Sequence, residues 1–417
     1  MTIGDKAGMR RALKFTNARM VLVGVIIVLG AVTIRANFYT YQSNDYNADF
    51  LPWYQFIAQH GGYSALKYDF TNYNVPYLYL LATLTYLPLS PLFGIKAISV
   101  VFDFLLGFVT YRLVAIRYPN SWWSVLAGAI IIYLPTVVLN SSMWAQVDSI
   151  YTTFALGGVY FILRRRPWLA CLLFGLAFAF KLQTIFLFPA LLLFALCRQV
   201  PWRALPLIPA VYLLLDIPAL LVGANLFTLL KVYVVETNNF EQLTLNAPTV
   251  YQYWGNFSYS TELRRFGIIA TGLVAIVLII PIVAKRIELT TTHIVLGAAA
   301  STLVVPYFLP GMHDRYFYLA DALSVVAAFY LPSKLWPLPI LEQFASAFSY
   351  APFLLGKNLV DFRILSTIML DAVLLTLCVA LQEFRRSAPP KPANTKLDAP
   401  DLTDPGGLSE TQLEEVK

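Results

Sequence analysis

The stretch VPYLYLLATLTYLPLSPLF, Val75 to Phe93, decides how this chain is threaded. It is apolar enough to enter a bilayer but is interrupted by Pro76, Pro88 and Pro91, residues that end or kink a helix. Charge settles the choice. If the stretch crossed, Arg112 and Arg117 would fall outside, and so would Arg164, Arg165 and Arg166, against the positive-inside tendency at its strongest site. Val75 to Phe93 therefore reads as a re-entrant or interfacial helix, and the next clear span runs from about Ile95 to Ile116.

Upstream, Lys6, Arg10, Arg11, Lys14 and Arg19 precede the apolar run Met20 to Phe38, so residues 1–19 read as a cytoplasmic tail and the first span leads outward. No small-residue cleavage site follows that run, which makes it a retained helix. Downstream, apolar runs recur near 122–139, 149–163, 168–180, 183–197, 204–222, 267–284, 291–309, 315–331, 335–355 and 363–383. The expectation is an all-α polytopic membrane protein of about twelve transmembrane helices. One transmembrane domain covers 20–385, with long outer loops at 41–94 and 223–262. Residues 386–417, rich in proline, glycine and acids, read as a disordered cytoplasmic tail. Arg264, Arg265 and Arg363 land outside in this threading, as functional cations or as errors in the spans.

Composition agrees with that threading. Of 417 residues 58% are hydrophobic and 13% charged, where soluble chains carry about 25% charged residues. The formal charge of +7 is scattered over the ends of apolar runs, which argues against a nucleic-acid partner and for a membrane one. Cys171, Cys197 and Cys378 have no ligand spacing, so neither a disulfide framework nor a metal site is expected. No glycine-rich phosphate loop or zinc-hydrolase motif occurs, and no cofactor is expected.

Four polar islands interrupt the apolar sequence, and all four fall on the outer side. The first is YQSNDYNADFLPWYQFIAQHGGYSALKYDFTNYNVP, Tyr41 to Pro76, in which Asp45 and Asp49 lie ahead of Trp53, Tyr54 and a Gly61–Gly62 turn. Each acid could take a proton from a hydroxyl group, or be an ordinary acid of a solvated loop. The others are NSSMWAQVDS at 140–149, FKLQT around Lys181, and LPGMHDRYF at 309–317. A lysine between two apolar half-spans costs roughly 2.5–3.5 kcal/mol at the bilayer centre, so Lys181 needs an anionic partner or wet cavity, or snorkels to the surface. Asp103, Asp216, Asp321 and Asp371 lie inside spans; interhelical pairing is expected for most of them.

At these residues the chain resembles the GT-C glycosyltransferases that use polyprenyl-phosphate sugars, and among them the prokaryotic proteins related to the second mannosyltransferase of GPI-anchor synthesis. The resemblance runs through NDY, PWYQFIAQHGGY, NYNVPYLYLL, SMWAQVDSIYTTF, GLAFAFKLQTIFLFP and LPGMHDRYFYLADAL, most of residues 40–325. It departs at Val75, where a proline pair is usual, and at Asp314, where a longer acid is usual. It implies a GT-C fold with juxtamembrane helices in the first outer loop. It also implies a catalytic Asp in that loop, placed by the spacing to Trp53 at Asp45 with Asp49 as runner-up, and donor-phosphate contacts from the MHDRY segment.

The reading that follows is a multi-pass membrane enzyme, in the plasma membrane if the source is prokaryotic. It moves a hexose such as mannose from a polyprenyl-phosphate sugar to a glycan, lipid or protein acceptor on the outer face, with inversion. Asp45 is the base; His313, Arg315 and Lys181 meet the donor phosphate; Trp144, Gln146, Asp148 and Asp314 contact sugar or acceptor. The rivals are a transporter or flippase of lipid-linked sugars, which needs a midplane site reachable from both faces, and a scaffold subunit of a glycosylation complex.

Overall fold

The computed structural model describes residues 21–238, 242–254 and 261–387, so the two expected tails and part of the second long loop lie outside the described residues. Of the described residues 78% are helical. Its first half comprises α1 (Val21–Ala36), α2 (Leu51–Gln59), α3 (Val75–Leu84), α4 (Pro91–Arg117), α5 (Trp122–Tyr133), α6 (Pro135–Val138), α7 (Asp148–Leu163), α8 (Pro167–Phe180) and α9 (Phe188–Leu196). The second comprises α10 (Leu207–Leu221), α11 (Leu226–Asn238), α12 (Thr261–Ala284), α13 (Thr291–Phe308), α14 (Tyr318–Tyr330), α15 (Pro332–Leu335), α16 (Leu338–Ser349), α17 (Ala351–Leu355) and α18 (Phe362–Arg386). Proline sits in the first turn of α3, α4, α6 and α8, where its missing N–H would have had no helical partner.

Among the described residues five helices are long and apolar enough to cross a bilayer: α4, α10 with its leading turn from Trp202, α12, α13 and α18. Their outward faces are apolar. On α12, Phe266, Ile269 and Val277 are each more than 60% exposed, an apolar surface of the kind that lipid covers. The protein is membrane-embedded and all-α.

Within Val75 to Phe93 the helix α3 has ten residues, about 15 Å against a hydrocarbon core about 30 Å thick. Tyr77, Leu81 and Ala82 of α3 are fully buried in protein. The expected single span 122–139 is instead bent by 48° where α5 gives way to Pro135. α4 and α5 pack backbone to backbone, because a Cβ on Gly128 would lie 2.8 Å from the carbonyl oxygen of Gly107. Of the four intramembrane acids, Asp103 and Asp321 do bond between helices, to Arg35 and to Ser346. Among the described residues Asp216 makes no such pair, and Asp371 is exposed, so pairing is seen for two of the four.

The bundle has two unlike ends. At one, Arg117 lies over the ring of Tyr330, Trp123 meets Phe329 and Lys334 pairs with Glu383, so the ends of α4, α14 and α18 gather with the start of α5. Exposed Trp122, Trp123, Trp168, Trp202 and Trp336 stand beside basic residues here, the pattern of an interfacial belt. The polar islands meet at the other end. Asp148 opens α7 and Arg164 follows its last residue, a separation of about 24 Å along the helix.

Candidate active site

Two helical segments that take one extra residue per turn build the site. One is Tyr46–Phe50, which carries the chain from Asp45 into α2; the other is Leu139–Trp144, which follows α6. Such π turns are local departures that packing must hold in place, and they gather at functional sites. The second ends at Ala145, a non-glycine residue at φ 67°, a conformation that costs roughly 1–2 kcal/mol. The Gln146 N–H holds it there by bonding the Asn140 carbonyl at 2.8 Å. As a result Trp144 and Gln146 face the first loop.

Both of them donate to one oxygen. Trp144 Nε1 lies 2.9 Å from Asp45 Oδ2, and Gln146 Nε2 bonds the same oxygen. Arg315 Nη1 stands 3.5 Å from Oδ2 as well. Every bond to Asp45 among the described residues falls on Oδ2, so Oδ1 is left to whatever enters. Behind Gln146, Tyr73 donates to its Oε1 at 3.1 Å and fixes which way the amide faces. Asp49, one turn further on, is half-buried, and its pKa is raised by burial and by the Asp45 charge, with Arg315 opposing.

Asp148 forms the second anchor. Its Oδ1 pairs with Lys181 Nζ at 2.5 Å, its Oδ2 accepts from Asn140 Nδ2 at 2.7 Å, and Arg315 Nε lies 3.8 Å from Oδ2. Arg315 thus bridges the two acids, with its guanidinium 5.4 Å from the Trp144 ring centre. Charge-assisted bonds normally close to about 2.7–2.9 Å, so Arg315 is loosely held on both sides. Among the described residues its buried Nε has no hydrogen-bond partner.

The four islands come together as expected, but several side chains have other surroundings than the sequence implied. Trp144, Gln146 and Asp148 are all at most 2% exposed; they orient Asp45 and Arg315 and offer no open face for a sugar. Trp144 is stacked on Phe353 at 4.5 Å and edge-on to Tyr350 at 5.1 Å. Trp53 packs with Phe50 and Tyr73, so the aromatic beside Asp45 is Trp144. Lys181 does not snorkel, because its amine is drawn inward to Asp148. Asp314 is buried, its Oδ1 bonded by the N–H of Arg315, which makes it a turn residue in place of a sugar contact.

His313 lies in a two-residue strand, β2 (Met312–His313), paired in parallel with β1 (Thr244–Leu245) of the second long loop. Burial, then the nearby charges of Arg315 and Lys181, push its pKa down to about 3. Both effects favour the neutral ring, whereas the role expected for His313 was that of a cation. The Gly61–Gly62 turn is present, with both residues at positive φ. Among the described residues no group of three or more His, Cys, Asp or Glu side chains is arranged to hold a metal ion.

No protein-family model matches the chain, and no curated protein matches its sequence. What the site can do has to come from its geometry. Tyr73 and Asn140 lie in the polar islands, and Tyr350 in the expected span 335–355, but the sequence reading gave none of them a role. Asn140 and Asp148, eight residues apart, close one loop through two bonds, and nothing in that spacing marks them as partners.

Two cavities flank the centre. One of about 270 Å³ is lined by Gln183, Arg264, Tyr316 and apolar groups such as Phe186 and Ile268. The other is a lateral apolar groove of about 780 Å³ bounded by Met143, Phe344 and Tyr350, the last of which touches Trp144.

Proposed function

We propose that this protein is a membrane glycosyltransferase that moves a hexose from a polyprenyl-phosphate sugar to an acceptor hydroxyl, with Asp45 as base. The observation that carries it is the loosely bridged Arg315, with an unbonded Nε, beside a carboxylate that keeps Oδ1 free. A half-open acid next to a cation is what a displacement on a sugar phosphate requires: one group to take a proton, another to follow the charge of the leaving oxygen.

Asp45 Oδ1 takes the proton of the acceptor hydroxyl while that oxygen attacks the anomeric carbon and the phosphate oxygen departs with the bonding pair. The configuration inverts. Asp45, Asp148, Arg315 and Lys181 together carry no net charge when all are ionised. Protonation of Asp45 removes one of the two anions holding Arg315 as negative charge grows on the phosphate, so the guanidinium is released to the leaving group in the same step. Lys181 and Asn140 hold Asp148, and Asp148 keeps Arg315 from leaving altogether. The cavity of about 270 Å³, amphipathic and bordered by Arg264, suits the phosphate and the first apolar units of the donor.

A GT-C architecture of about twelve spans, with the site on the outer face, belongs to the same proposal. It rests on the sequence resemblance and on the arginine-rich turn lying about 24 Å from the site. Short helices such as α8 and α14 would cross with local thinning of the bilayer. The site's position at one end of the bundle favours transfer over transport, which needs access from both faces. Purified protein, given a polyprenyl-phosphate hexose and a panel of acceptors, should release polyprenyl phosphate and form a glycoside. Absence of both products with every donor sugar would reject the proposal.

A further inference from the structure

At the arginine end, on the far side of α7 from Asp148, α4, α7 and α8 enclose a groove of about 500 Å³. Arg112, Arg164 and Arg166 border it, and Phe108, Phe154 and Leu173 are among its apolar walls. No acid lines it, and among the described residues none of the three arginines is in an ion pair. Arg112 is held in place: its Nη2 bonds the Tyr160 hydroxyl at 2.9 Å and its guanidinium lies 5.8 Å from the Phe108 ring centre. The other two are presented by a tight turn. Arg165 has φ 55°, and the turn is closed by Arg165 N–H to the Ile162 carbonyl and Arg166 N–H to the Phe161 carbonyl. That conformation brings Arg164 and Arg166 to the groove and leaves Arg165 out of its lining.

A topology signal needs positive charge somewhere in the loop, and it does not need a cavity. Here three cations from two segments converge on one groove with apolar walls, near the exposed Trp168. We propose that the groove binds an anionic phospholipid, its phosphate between Arg112, Arg164 and Arg166 and an acyl chain along Phe108, Phe154 and Leu173. Charge complementarity selects the headgroup and the aromatic walls select a lipid over a soluble phosphate. The three arginines gather at the end of α7 away from Asp148, so the headgroup of a bound lipid would sit apart from the proposed chemistry and the lipid would brace α4, α7 and α8 without being turned over.

The test is lipid retention by native mass spectrometry of the full chain taken from vesicles of phosphatidylcholine with or without phosphatidylglycerol. Wild type should keep phosphatidylglycerol in preference to phosphatidylcholine. Arg112→Gln, Arg164→Gln and Arg166→Gln should each lower that preference about fivefold, the factor for one basic residue at an anionic surface. Arg165→Gln, with the same change of charge outside the groove, should leave it nearly unchanged. Val109→Trp fills the groove without touching a charge and should also abolish retention. Equal losses for Arg165→Gln and Arg164→Gln would mean diffuse surface charge and overturn the site. So would retention unaffected by Val109→Trp, or displacement of the lipid by glycerol phosphate at equal concentration.

Discussion

Two arginine–aspartate pairs in the bundle behave as opposites. Arg35 at the end of α1 reaches Asp103 of α4 with Nη2 at 2.8 Å and Nε at 3.1 Å, and both side chains are at most 4% exposed. Arg315 and Asp45 stand 3.5 Å apart with both side chains 16% exposed. The first pair is closed and the second is open. Ser141 connects them: its hydroxyl donates to Asp103 Oδ2 at 2.6 Å, and it belongs to the π turn that presents Trp144 to Asp45. The sealed pair holds the wall of the site, whereas the open pair is free to change partners. Charge in a membrane protein can therefore serve structure or chemistry according to how completely it is enclosed.

The largest effect should come from breaking the sealed pair. Removing one member strands the other in a region without water, at a cost of about 3–5 kcal/mol. Arg35→Met or Asp103→Leu alone should sharply lower the thermal midpoint in detergent, while the double variant should recover most of it. If the single variants unfold no earlier than wild type, the pair is not structural and the contrast fails. The mirror experiment acts on the open pair. Asp45→Asn should leave the midpoint within a degree or two and reduce transfer at least ~10²-fold with donor binding nearly intact. Asp45→Glu should recover little, because a shift of about 1 Å can itself cost ~10²-fold. Asp49→Asn should do much less; a reversed order would make Asp49 the base.

A smaller loss should follow from Arg315→Lys. The charge stays, but one point charge cannot reach two carboxylates and a phosphate as a planar fork does. A reduction of transfer by about tenfold with an unchanged fold, measured by initial rates at saturating acceptor, is the expected result. Unchanged rates would mean that Arg315 acts only as a diffuse counter-charge.

How far the sequence reached can be judged from these same residues. Helix bounds such as 149–163 and 168–180 came out within a residue or two of α7 and α8, because unbroken apolar runs bounded by arginine and proline leave few alternatives. Lys181 was recognisable as needing an anion, since desolvation makes an unpaired lysine too costly, but which acid it would find was not. Partners eight residues apart in a loop, or 33 apart as with Asp148 and Lys181, depend on how the chain turns back. The π turns left no local signature, as they arise from packing and not from propensity. Trp144 looked like an open platform because sequence cannot tell a buried tryptophan from an interfacial one. Arg35 was hidden for another reason: it ends the first span, where a basic residue reads as an ordinary helix terminus.

The smallest expected effect concerns the two neighbours of Arg315 and tests whether the open pair's surroundings respond to pH. His313 titrates near 6.5 when unfolded and is pushed down to about 3 in the fold, by burial first and then by Arg315 and Lys181. Between those values the unfolded chain holds a proton that the folded chain refuses, so stability from His313 rises with pH and is complete above about 6.5. Asp314 does the reverse. Burial lifts it from 3.8 to about 7, against the pull of Arg315, so the folded chain keeps a proton that the unfolded chain gives up. Its contribution is complete at low pH and is lost as pH rises toward about 7. In the shared window each slope is about 1.4 kcal/mol per pH unit and the two oppose, so their contributions to the thermal midpoint should nearly cancel from pH 4.5 to 6.5. His313→Gln should uncover a midpoint that falls as pH rises, and Asp314→Asn one that climbs. Thermal scans in detergent at four or five pH values decide it: parallel curves for wild type and both variants would mean that neither group is held in the protonation state its burial implies.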